Sequence, residues 1–334
     1  MIKKYITLSL FLLTVISGAL AQKPTMNERV AVITNRTINH EADSSCRFYN
    51  RPNPGGKLQA FAVKKDGETI TCKPADNLSD MINDLYRSGN CLVFVHGDSK
   101  TFKQAALRGL EISNLYNLNV LVYAWPTRPD GEDSFKNFET SKKNAEEGTE
   151  HFRSFLLMLQ ELKTKCQGEN HHLTLFAHSL GNYYLQQTVQ DGLPAGINDS
   201  LFDNIILNAA ATESFMHAEW AEKINMQKRL YITGNRYDFN LQGVRFILLG
   251  GAQLGQRFIP PFAKNALYIN FSKTVGLKFY PWSAHSYFFG RATDEVPEVK
   301  TVYHNLFHGN EIDLSNTKLF KKKNNKPVYW LIKQ

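Results

Sequence analysis

Leu-Thr-Leu-Phe-Ala-His-Ser-Leu-Gly, residues 173–181, is the stretch of sequence that decides the fold. An apolar, strand-like run ends abruptly at Ser179, small residues stand two positions away on each side, and a helix-like pattern follows. This is the sequence form of a nucleophile elbow, a sharp strand-to-helix turn that holds a serine hydroxyl clear of a sheet. Ala177 occupies the first small position, where glycine is usual, and Gly181 occupies the second. A serine needs a histidine and an acid to become a nucleophile, so the elbow predicts two partners elsewhere in the chain.

The sequence around the elbow predicts an α/β fold with a mostly parallel central sheet covered by helices on both faces. Continuous apolar runs, typical of strands buried on both faces, alternate with helix-like segments. Ligands of such sheets lie beyond the carboxyl ends of the strands, so we expect the functional residues in strand-to-helix loops. The predicted strands are 91–95, 120–125, 172–177, 204–208, 229–233 and 266–271, and the predicted helices include 102–116 and 140–166.

The segment before this pattern is expected to lead into the sheet. Residues 28–38 read as a first strand, 39–56 as a polar loop, 57–63 with 68–73 as a β-hairpin, and 78–85 as a short helix. We therefore divide the chain into residues 22–90, which form one domain with the catalytic core at 91–296, and a basic C-terminal extension at 297–334.

Two partners for Ser179 are predicted by looking just past the strand ends. Asp238 lies in the turn after strand 229–233, and His285 follows the next strand. Each residue of the set Ser179, Asp238 and His285 then belongs to a different post-strand loop, which chance rarely produces. Glu213, after strand 204–208, is the alternative acid.

Other histidines are expected to lie away from this chemistry. His304 and His308 form an alternative pair, which we interpret as surface or packing residues. His178 adjoins the nucleophile in sequence, but the geometry of an elbow predicts that its side chain points away from the triad.

The oxyanion of an acyl-transfer reaction needs two backbone N–H groups. The sequence predicts that Leu180, after the nucleophile, and Asp98, after the strand 91–95 and Gly97, supply them. The acidic side chain at position 98 would weaken anion binding unless it points away or pairs with Arg36 or Arg128. Trp125, at the end of the predicted strand 120–125, and Arg128, just after it, lie at the same edge and are candidate substrate-binding residues. Core packing is the alternative for Trp125.

Four motifs now stand in order: Val93–Gly97, Tyr123–Pro126, Ala177–Gly181 and His285–Tyr287. With them the chain resembles the α/β-hydrolase superfamily, in which the nucleophile, the acid and the histidine follow one another in this order. It resembles more closely a bacterial family of α/β-hydrolases of unassigned function, through residues 32–36 and 248–255. The resemblance covers about residues 28–290. It implies the α/β-hydrolase fold, hydrolase chemistry and the triad roles of Ser179, Asp238 and His285.

The N-terminus predicts export to the periplasm or the medium. Lys3 and Lys4 precede an apolar stretch at 5–16, and Ala19-Leu20-Ala21 has the small-x-small pattern of a signal-peptidase site. Residues 1–21 are therefore interpreted as a signal peptide, with a mature form that starts near Gln22. An uncleaved anchor is the alternative.

Charge and cysteine content limit the partners. The formal net charge is +8, and no segment resembles a nucleic-acid-binding motif. A mildly basic surface would favour weak contact with a membrane surface, although Lys321–Lys323 read more readily as a solvated tail.

The chain has four cysteines, Cys46, Cys72, Cys91 and Cys166, which allow three disulfide pairings. Cys46 and Cys72 are placed to join the N-terminal loops by a disulfide, and free buried cysteines are the alternative. No spacing of cysteine and histidine suggests a metal site.

Together these features predict an exported serine hydrolase that cleaves a small-molecule or lipid-like carboxylic ester through an acyl-enzyme, with no metal or organic cofactor. Two alternatives remain open. One is a non-catalytic α/β-hydrolase scaffold that binds a ligand or partner, and the other is an amidase or peptidase with the same triad.

Overall fold

The computed structural model describes residues 29–40, 46–67, 69–128, 134–166, 168–247, 250–279, 283–322 and 326–333. The signal peptide expected at residues 1–21 lies outside these residues. Within the described ranges, no helix combines the length and apolar character needed to cross a membrane.

An 11-stranded sheet forms the centre of the described chain, with strands in the order β12-β13-β11-β10-β9-β8-β6-β7-β1-β4-β5. Its middle strands, from β13 to β1, are parallel, and antiparallel strands close both edges. The expectation of a mostly parallel sheet is thus confirmed. The strands of this sheet are β1 (Val30–Thr34), β4 (Gln59–Asp66), β5 (Thr69–Pro74), β6 (Cys91–Val95), β7 (Asn119–Tyr123), β8 (Leu173–His178), β9 (Phe202–Asn208), β10 (Gln227–Gly234), β11 (Ala266–Asn270), β12 (Phe320–Lys322) and β13 (Val328–Leu331).

Helices cover both faces of the sheet. Successive strand residues point to opposite faces. Phe176 of β8 contacts the ring of Phe307, whereas Tyr123 of β7 stacks on Phe155. The strand register puts Phe176 and Tyr123 on opposite faces, so α9 and α4 lie on opposite sides of the sheet. The helices are α1 (Leu78–Arg87), α2 (Phe102–Tyr116), α3 (Ser134–Glu147), α4 (Thr149–Lys165), α5 (Gly181–Gln190), α6 (Ala218–Ala221), α7 (Phe239–Ile247), α8 (Arg291–Glu295) and α9 (Pro297–Phe307).

The long helix predicted at 140–166 is two helices, α3 and α4, that meet at Gly148. The Gly148 carbonyl accepts a hydrogen bond from the Tyr184 hydroxyl. A Cβ atom at this position would lie 2.5 Å from that hydroxyl oxygen. The close approach of Tyr184 therefore requires glycine, and the helix breaks where this contact is made.

The predicted first strand and the loop after it also differ from expectation. The strand expected at 28–38 is divided into β1 and β2 (Arg36–Ile38). The loop expected at 39–56 contains β3 (Phe48–Pro52), which pairs antiparallel with β2 in a separate two-stranded sheet. The sequence FYNRP of β3 alternates in burial but has no apolar alternation, which is why its pattern did not predict a strand.

The C-terminal residues 297–334, expected to form a basic extension, supply α9 and two strands of the central sheet. β13 pairs in parallel with β11 and buries Val328 and Leu331. β12 closes the edge, where Lys321 and Lys322 are exposed. Lysine on an edge strand discourages pairing with another chain, so the basic residues here are compatible with a strand.

The structure joins Cys46 and Cys72 in a disulfide, while Cys91 and Cys166 are free and buried. The bridge ties the segment before β3 to β5 across 26 residues of sequence.

Closing a loop of this length in the unfolded chain with the Cys46–Cys72 disulfide stabilises the fold by about 2–4 kcal/mol. We expect Cys46→Ser combined with Cys72→Ser to lower the free energy of unfolding by that amount in urea denaturation. A reductant should lower the stability of the wild type to that of this variant and leave the stability of the variant unchanged. Equal stability of the wild type and the variant without reductant would contradict the prediction.

Candidate active site

Ser179 lies on a strand-to-helix turn between β8 and α5. Its φ is +54°, a left-handed conformation that residues with side chains rarely adopt. A Cβ atom at Gly181 would lie 2.5 Å from the Val95 carbonyl oxygen, so the second small position requires glycine. Ala177, at the first small position of the elbow, is fully buried within β8, which accommodates its methyl group. The turn is held from below by Asn182, whose side-chain amide donates to the Ala177 and Asn208 carbonyls at 3.1 and 3.0 Å.

Asp238 and His285 come together from two different loops. The Nδ1 atom of His285 lies 2.6 Å from Oδ2 of Asp238. Asp238 has no exposed area, and its Oδ1 accepts a hydrogen bond from the Leu241 N–H at 3.2 Å. The buried side chain of Asn235 donates to the Ala284 carbonyl at 2.9 Å, which joins the loop of the acid to the loop of the histidine. The acid and the histidine are therefore fixed relative to each other before any ligand binds.

The alternative acid and the alternative histidines lie elsewhere. Glu213 is exposed, and its carboxylate is close to Gly251. His308 of the other pair is at the amino end of the sheet, where its ring contacts Asn90 and the Tyr116 carbonyl. The structure thus brings Asp238, and not Glu213, to the predicted histidine.

His178 lies against His285, contrary to the expectation that it points away from the predicted triad. Its ring centroid is 4.7 Å from that of His285, and its Nε2 is 3.3 Å from the Ser286 hydroxyl. The elbow turns at Ser179, one residue later, so the side chain of His178 still follows the strand alternation and emerges beneath the loop of His285. It thereby supports the ring of His285 from the side of the sheet.

The hydrogen bonds of His178 fix its tautomer. Asn208 donates through Nδ2 to the hydroxyls of Thr233 and Tyr303, so its Oδ1, 2.8 Å from His178 Nδ1, must accept. His178 Nδ1 therefore carries the proton, and Nε2 accepts from Ser286. Burial first, and the neighbouring His285 second, hold the pKa of His178 well below its usual value. The ring beside His285 is consequently neutral.

Among the described residues, Ser179 Oγ has no hydrogen-bond partner. The hydrogen bond between Ser179 Oγ and His285 that the proposed chemistry needs is therefore not formed in this structure. The hydroxyl lies over Gly97, where a Cβ atom would be 3.2 Å from Oγ and 2.6 Å from the Ser179 Cβ. Catalytic hydrogen bonds are often long in the absence of substrate.

The two predicted oxyanion donors flank the nucleophile. Leu180 is fully buried at the start of α5, and Asp98 follows Gly97 at the end of β6. Within the described part of the chain, neither backbone N–H donates to another group. Because no acceptor of the described chain occupies them, both N–H groups are available to a negative oxygen.

The side chain of Asp98 points away from this position. Its Oδ1 accepts from Asn137 Nδ2 at 2.9 Å and from the Ser141 hydroxyl at 2.6 Å, both in α3. It pairs with neither Arg36 nor Arg128. Burial raises the pKa of the Asp98 carboxyl, and these hydrogen bonds oppose that rise. The carboxylate therefore anchors the loop to α3 and does not face the oxyanion.

Trp125 is a core residue and not part of a substrate pocket. It has no exposed area, its indole N–H donates to the His96 carbonyl at 2.8 Å, and its ring stacks on Tyr184. Arg128 is exposed, next to residues that lie outside the described ranges. Arg36 is buried and donates to the carbonyls of Ala124, Trp125 and Lys100, which fastens together the loops after β6 and β7.

The sequence-based predictions gave several polar residues no role at this site. These residues hold the loops of Asp98, Ser179, Asp238 and His285 through hydrogen bonds, most of them to partners far away in sequence. Only the position of His178 beside the nucleophile offered a signal. The residues are Asn137, Ser141, His178, Asn182, Asn208, Asn235 and Ser286.

The buried histidines predict that the protein loses stability in acid. Burial lowers the pKa of His96 to about 3, and that of His178 also falls. In the unfolded chain both bind a proton below about pH 6.5, so the free energy of unfolding falls as the pH drops, by up to about 1.4 kcal/mol per pH unit for each histidine. His96→Phe keeps the ring and should reduce this slope, measured by urea unfolding between about pH 7.5 and 5.5. The exposed His40→Gln is the control, and a slope unchanged by His96→Phe would contradict the assignment.

Among the described residues, no group of three or more His, Cys, Asp or Glu side chains is arranged to hold a metal ion. The reacting groups found here are side chains and backbone N–H groups. With an elbow serine, a carboxylate–histidine pair and two available N–H donors, the arrangement can carry out nucleophilic acyl transfer.

Comparisons with known proteins identify the family of the chain. A search of solved structures finds MGS-M1, an alpha/beta hydrolase enzyme from a Medee basin deep-sea metagenome library, with 8% sequence identity and a TM-score of 0.31 over 75% of this chain and 92% of that one. No curated protein matches the chain. Residues 73–264, more than half of the chain, match the family described as alpha/beta hydrolase of unknown function (DUF900). The resemblance stated from the motifs is confirmed, and the chain belongs to this family of α/β-hydrolases.

Proposed function

We propose that the protein is an exported serine hydrolase that cleaves carboxylic esters through an acyl-enzyme, with Ser179, His285 and Asp238 as its triad. The observation that carries the proposal is the 2.6 Å contact of His285 Nδ1 with the fully buried Asp238, in the loops that face the elbow of Ser179. A buried carboxylate on Nδ1 holds the imidazole in the tautomer whose Nε2 can accept a proton.

The chemistry would proceed in two steps. His285 Nε2 takes the proton of Ser179 as Oγ attacks the carbonyl carbon, and the carbonyl oxygen becomes an oxyanion bound by the N–H groups of Leu180 and Asp98. The tetrahedral intermediate collapses, the alcohol leaves with the proton from His285, and the acyl group stays on Oγ. Water then attacks the acyl-enzyme with His285 as base, which releases the acid and restores Ser179.

A fluorophosphonate probe followed by peptide mapping tests the proposal directly. We expect covalent labelling of Ser179 and release of p-nitrophenol from short-chain p-nitrophenyl esters. If the purified mature protein is neither labelled nor active, the fold serves as a non-catalytic scaffold. Labelling at another serine would mean that the nucleophile is misassigned.

A substrate panel separates the ester reading from the other hydrolases. Matched ester, thioester, anilide and peptide substrates with one acyl group compare leaving groups while the acyl pocket stays the same. Faster cleavage of the anilide or peptide than of the ester would identify an amidase or peptidase and reject ester hydrolysis as the main activity.

Export is supported by the N-terminal sequence and by the Cys46–Cys72 disulfide, since disulfides persist mainly in oxidising compartments. Expression of the full chain in a bacterial host should give a periplasmic or secreted protein that begins near Gln22 in N-terminal sequencing. Recovery of the intact N-terminus in the membrane fraction would instead identify an uncleaved anchor.

A further inference from the structure

A cavity of about 540 Å³ opens beside the loop of Asp238 and is separate from the elbow. One part of it lies at the carboxyl ends of two neighbouring strands, where Arg236 and Tyr237 follow β10 and Asn270 ends β11. From Trp330, which is level with Asn270 in the strand register, the cavity extends along β13 to Val328 and to Lys326, which precedes the strand. The part beside Arg236 and Tyr237 shares its edge of the sheet with Ser179. We call it the basic–aromatic pocket, after Arg236, Arg257, Lys326, Phe258, Phe262 and Trp330.

Its charge is of one sign. Arg236, Arg257 and Lys326 line the cavity, are exposed, and form no ion pair or side-chain hydrogen bond with any described residue. None of the described lining residues is acidic. The nearest carboxylate in sequence, Asp238, is fully buried and directed at His285, so it does not neutralise these cations.

The aromatic walls are held in place by packing. The rings of Phe258 and Phe262 lie edge-on to Tyr268, with centroids 5.3 and 5.1 Å away. The Tyr268 hydroxyl is itself 2.6 Å from His217 Nε2 and accepts from the Ala263 N–H at 2.8 Å. Trp330 is half-buried, and the ammonium group of Lys273 lies 5.4 Å from its ring, which adds a further positive charge at the rim. The pocket thus combines a fixed apolar wall with cations on exposed side chains.

We propose that the basic–aromatic pocket binds a phosphate ester whose organic part is apolar or aromatic. Two guanidinium groups and an ammonium group on one cavity match the double negative charge of a phosphate ester better than the single charge of a carboxylate. The aromatic wall gives the organic part a surface to cover, which free phosphate would not use. Both a soluble phosphate ester and the headgroup region of an anionic phospholipid present this chemistry.

Ligand binding in this pocket is a property separate from the proposed ester hydrolysis and does not depend on it. Neighbouring strands are about 4.8 Å apart, so β10 lies about 10 Å from β8, and the pocket extends from β10 away from Ser179. A ligand held by Arg236 and Arg257 would therefore sit beside the nucleophile and not on it. Its binding should be the same in Ser179→Ala as in the wild type.

Calorimetric titration of the folded mature protein with phenyl phosphate tests the proposal, with phenol as the uncharged comparison. We expect phenyl phosphate to bind and phenol to bind far more weakly. Arg236→Gln combined with Arg257→Gln should weaken phenyl phosphate binding by roughly 10- to 100-fold, the range for losing charge-assisted hydrogen bonds. The matched control is Lys64→Gln with Lys65→Gln, which removes the same charge from β4 at the other end of the sheet and should change affinity by less than about twofold. Circular dichroism checks that both variants are folded.

Sedimentation with phosphatidylcholine vesicles, with and without phosphatidylglycerol, identifies the source of the phosphate group. Binding to the anionic vesicles that the arginine variant loses and the lysine variant keeps would support a lipid headgroup, and binding of phenyl phosphate alone would support a soluble ester. The proposal is overturned if neither probe binds, if both double variants lose binding equally, or if Ser179→Ala abolishes it. Because none of these measurements requires turnover, they do not depend on whether the proposed esterase activity is found.

Discussion

Replacement of Ser179 by alanine should lower kcat/KM for p-nitrophenyl ester hydrolysis by about 10⁴- to 10⁶-fold, and replacement of His285 by alanine should do the same. Oγ is the atom that would form the acyl bond, and His285 Nε2 is the atom that would take its proton. Without either, the remaining rate comes from the oxyanion donors and from substrate binding alone. The two residues act as a unit, so the double variant should be little worse than each single one.

The controls separate chemistry from folding. The Ser179 side chain makes no hydrogen bond with a described residue, so Ser179→Ala should unfold in urea like the wild type. Ser286→Ala removes a hydroxyl that contacts His178 and not the nucleophile. It should retain most of the activity. Full activity in Ser179→Ala or His285→Ala would show that the triad is misassigned.

The parts of the fold that the sequence predicted well are those set by local patterns. β6 at Cys91–Val95 and α2 at Phe102–Tyr116 have the predicted bounds. In both cases an apolar run or stripe ends at clear polar or capping residues: Thr101 and Gln104 form a capping box at the start of α2. The elbow was also readable because Gly181 must lie against the Val95 carbonyl, a steric demand that leaves a fixed residue type in the sequence.

The parts that the sequence did not predict depend on partners distant in the chain. The break at Gly148 exists because Tyr184 of α5 approaches it, and a helical pattern alone continues through this position. Trp125 follows a strand at the edge of the sheet where the candidate site lies. Its side chain is nevertheless buried in the core, where the indole N–H donates to the His96 carbonyl and the ring stacks on Tyr184. Pairing of β13 with β11 likewise joins segments about 60 residues apart, so no local composition distinguishes this strand from a basic tail.

The polar support of the site has a common chemical logic. Asn137, Asn182, Asn208 and Asn235 each connect two loops or elements through buried amide hydrogen bonds. An amide both donates and accepts without carrying charge, so it can be buried at a lower desolvation cost than an ionised group. Asp238 differs from these amides, because it is a fully buried carboxylate whose charge would stabilise the imidazolium form of His285 in the proposed reaction.

Asp238→Asn should lower kcat/KM by about 10⁴-fold while Glu213→Gln leaves it within about twofold. The amide side chain has nearly the shape of the carboxylate, so the variant should fold. It can present its NH₂ group to His285 Nδ1, however, which would leave the proton on Nε2 and prevent that atom from accepting the proton of Ser179. It would also remove the negative charge that stabilises the imidazolium formed on proton transfer. Glu213 is exposed beside Gly251. Glu213→Gln is therefore the matched control, because it also removes one carboxylate at the same edge of the sheet. Steady-state kinetics with one p-nitrophenyl ester measure both variants, and circular dichroism confirms that each is folded. If Glu213→Gln lost activity and Asp238→Asn kept it, the acid would have to be reassigned, and the 2.6 Å contact with His285 would be structural only.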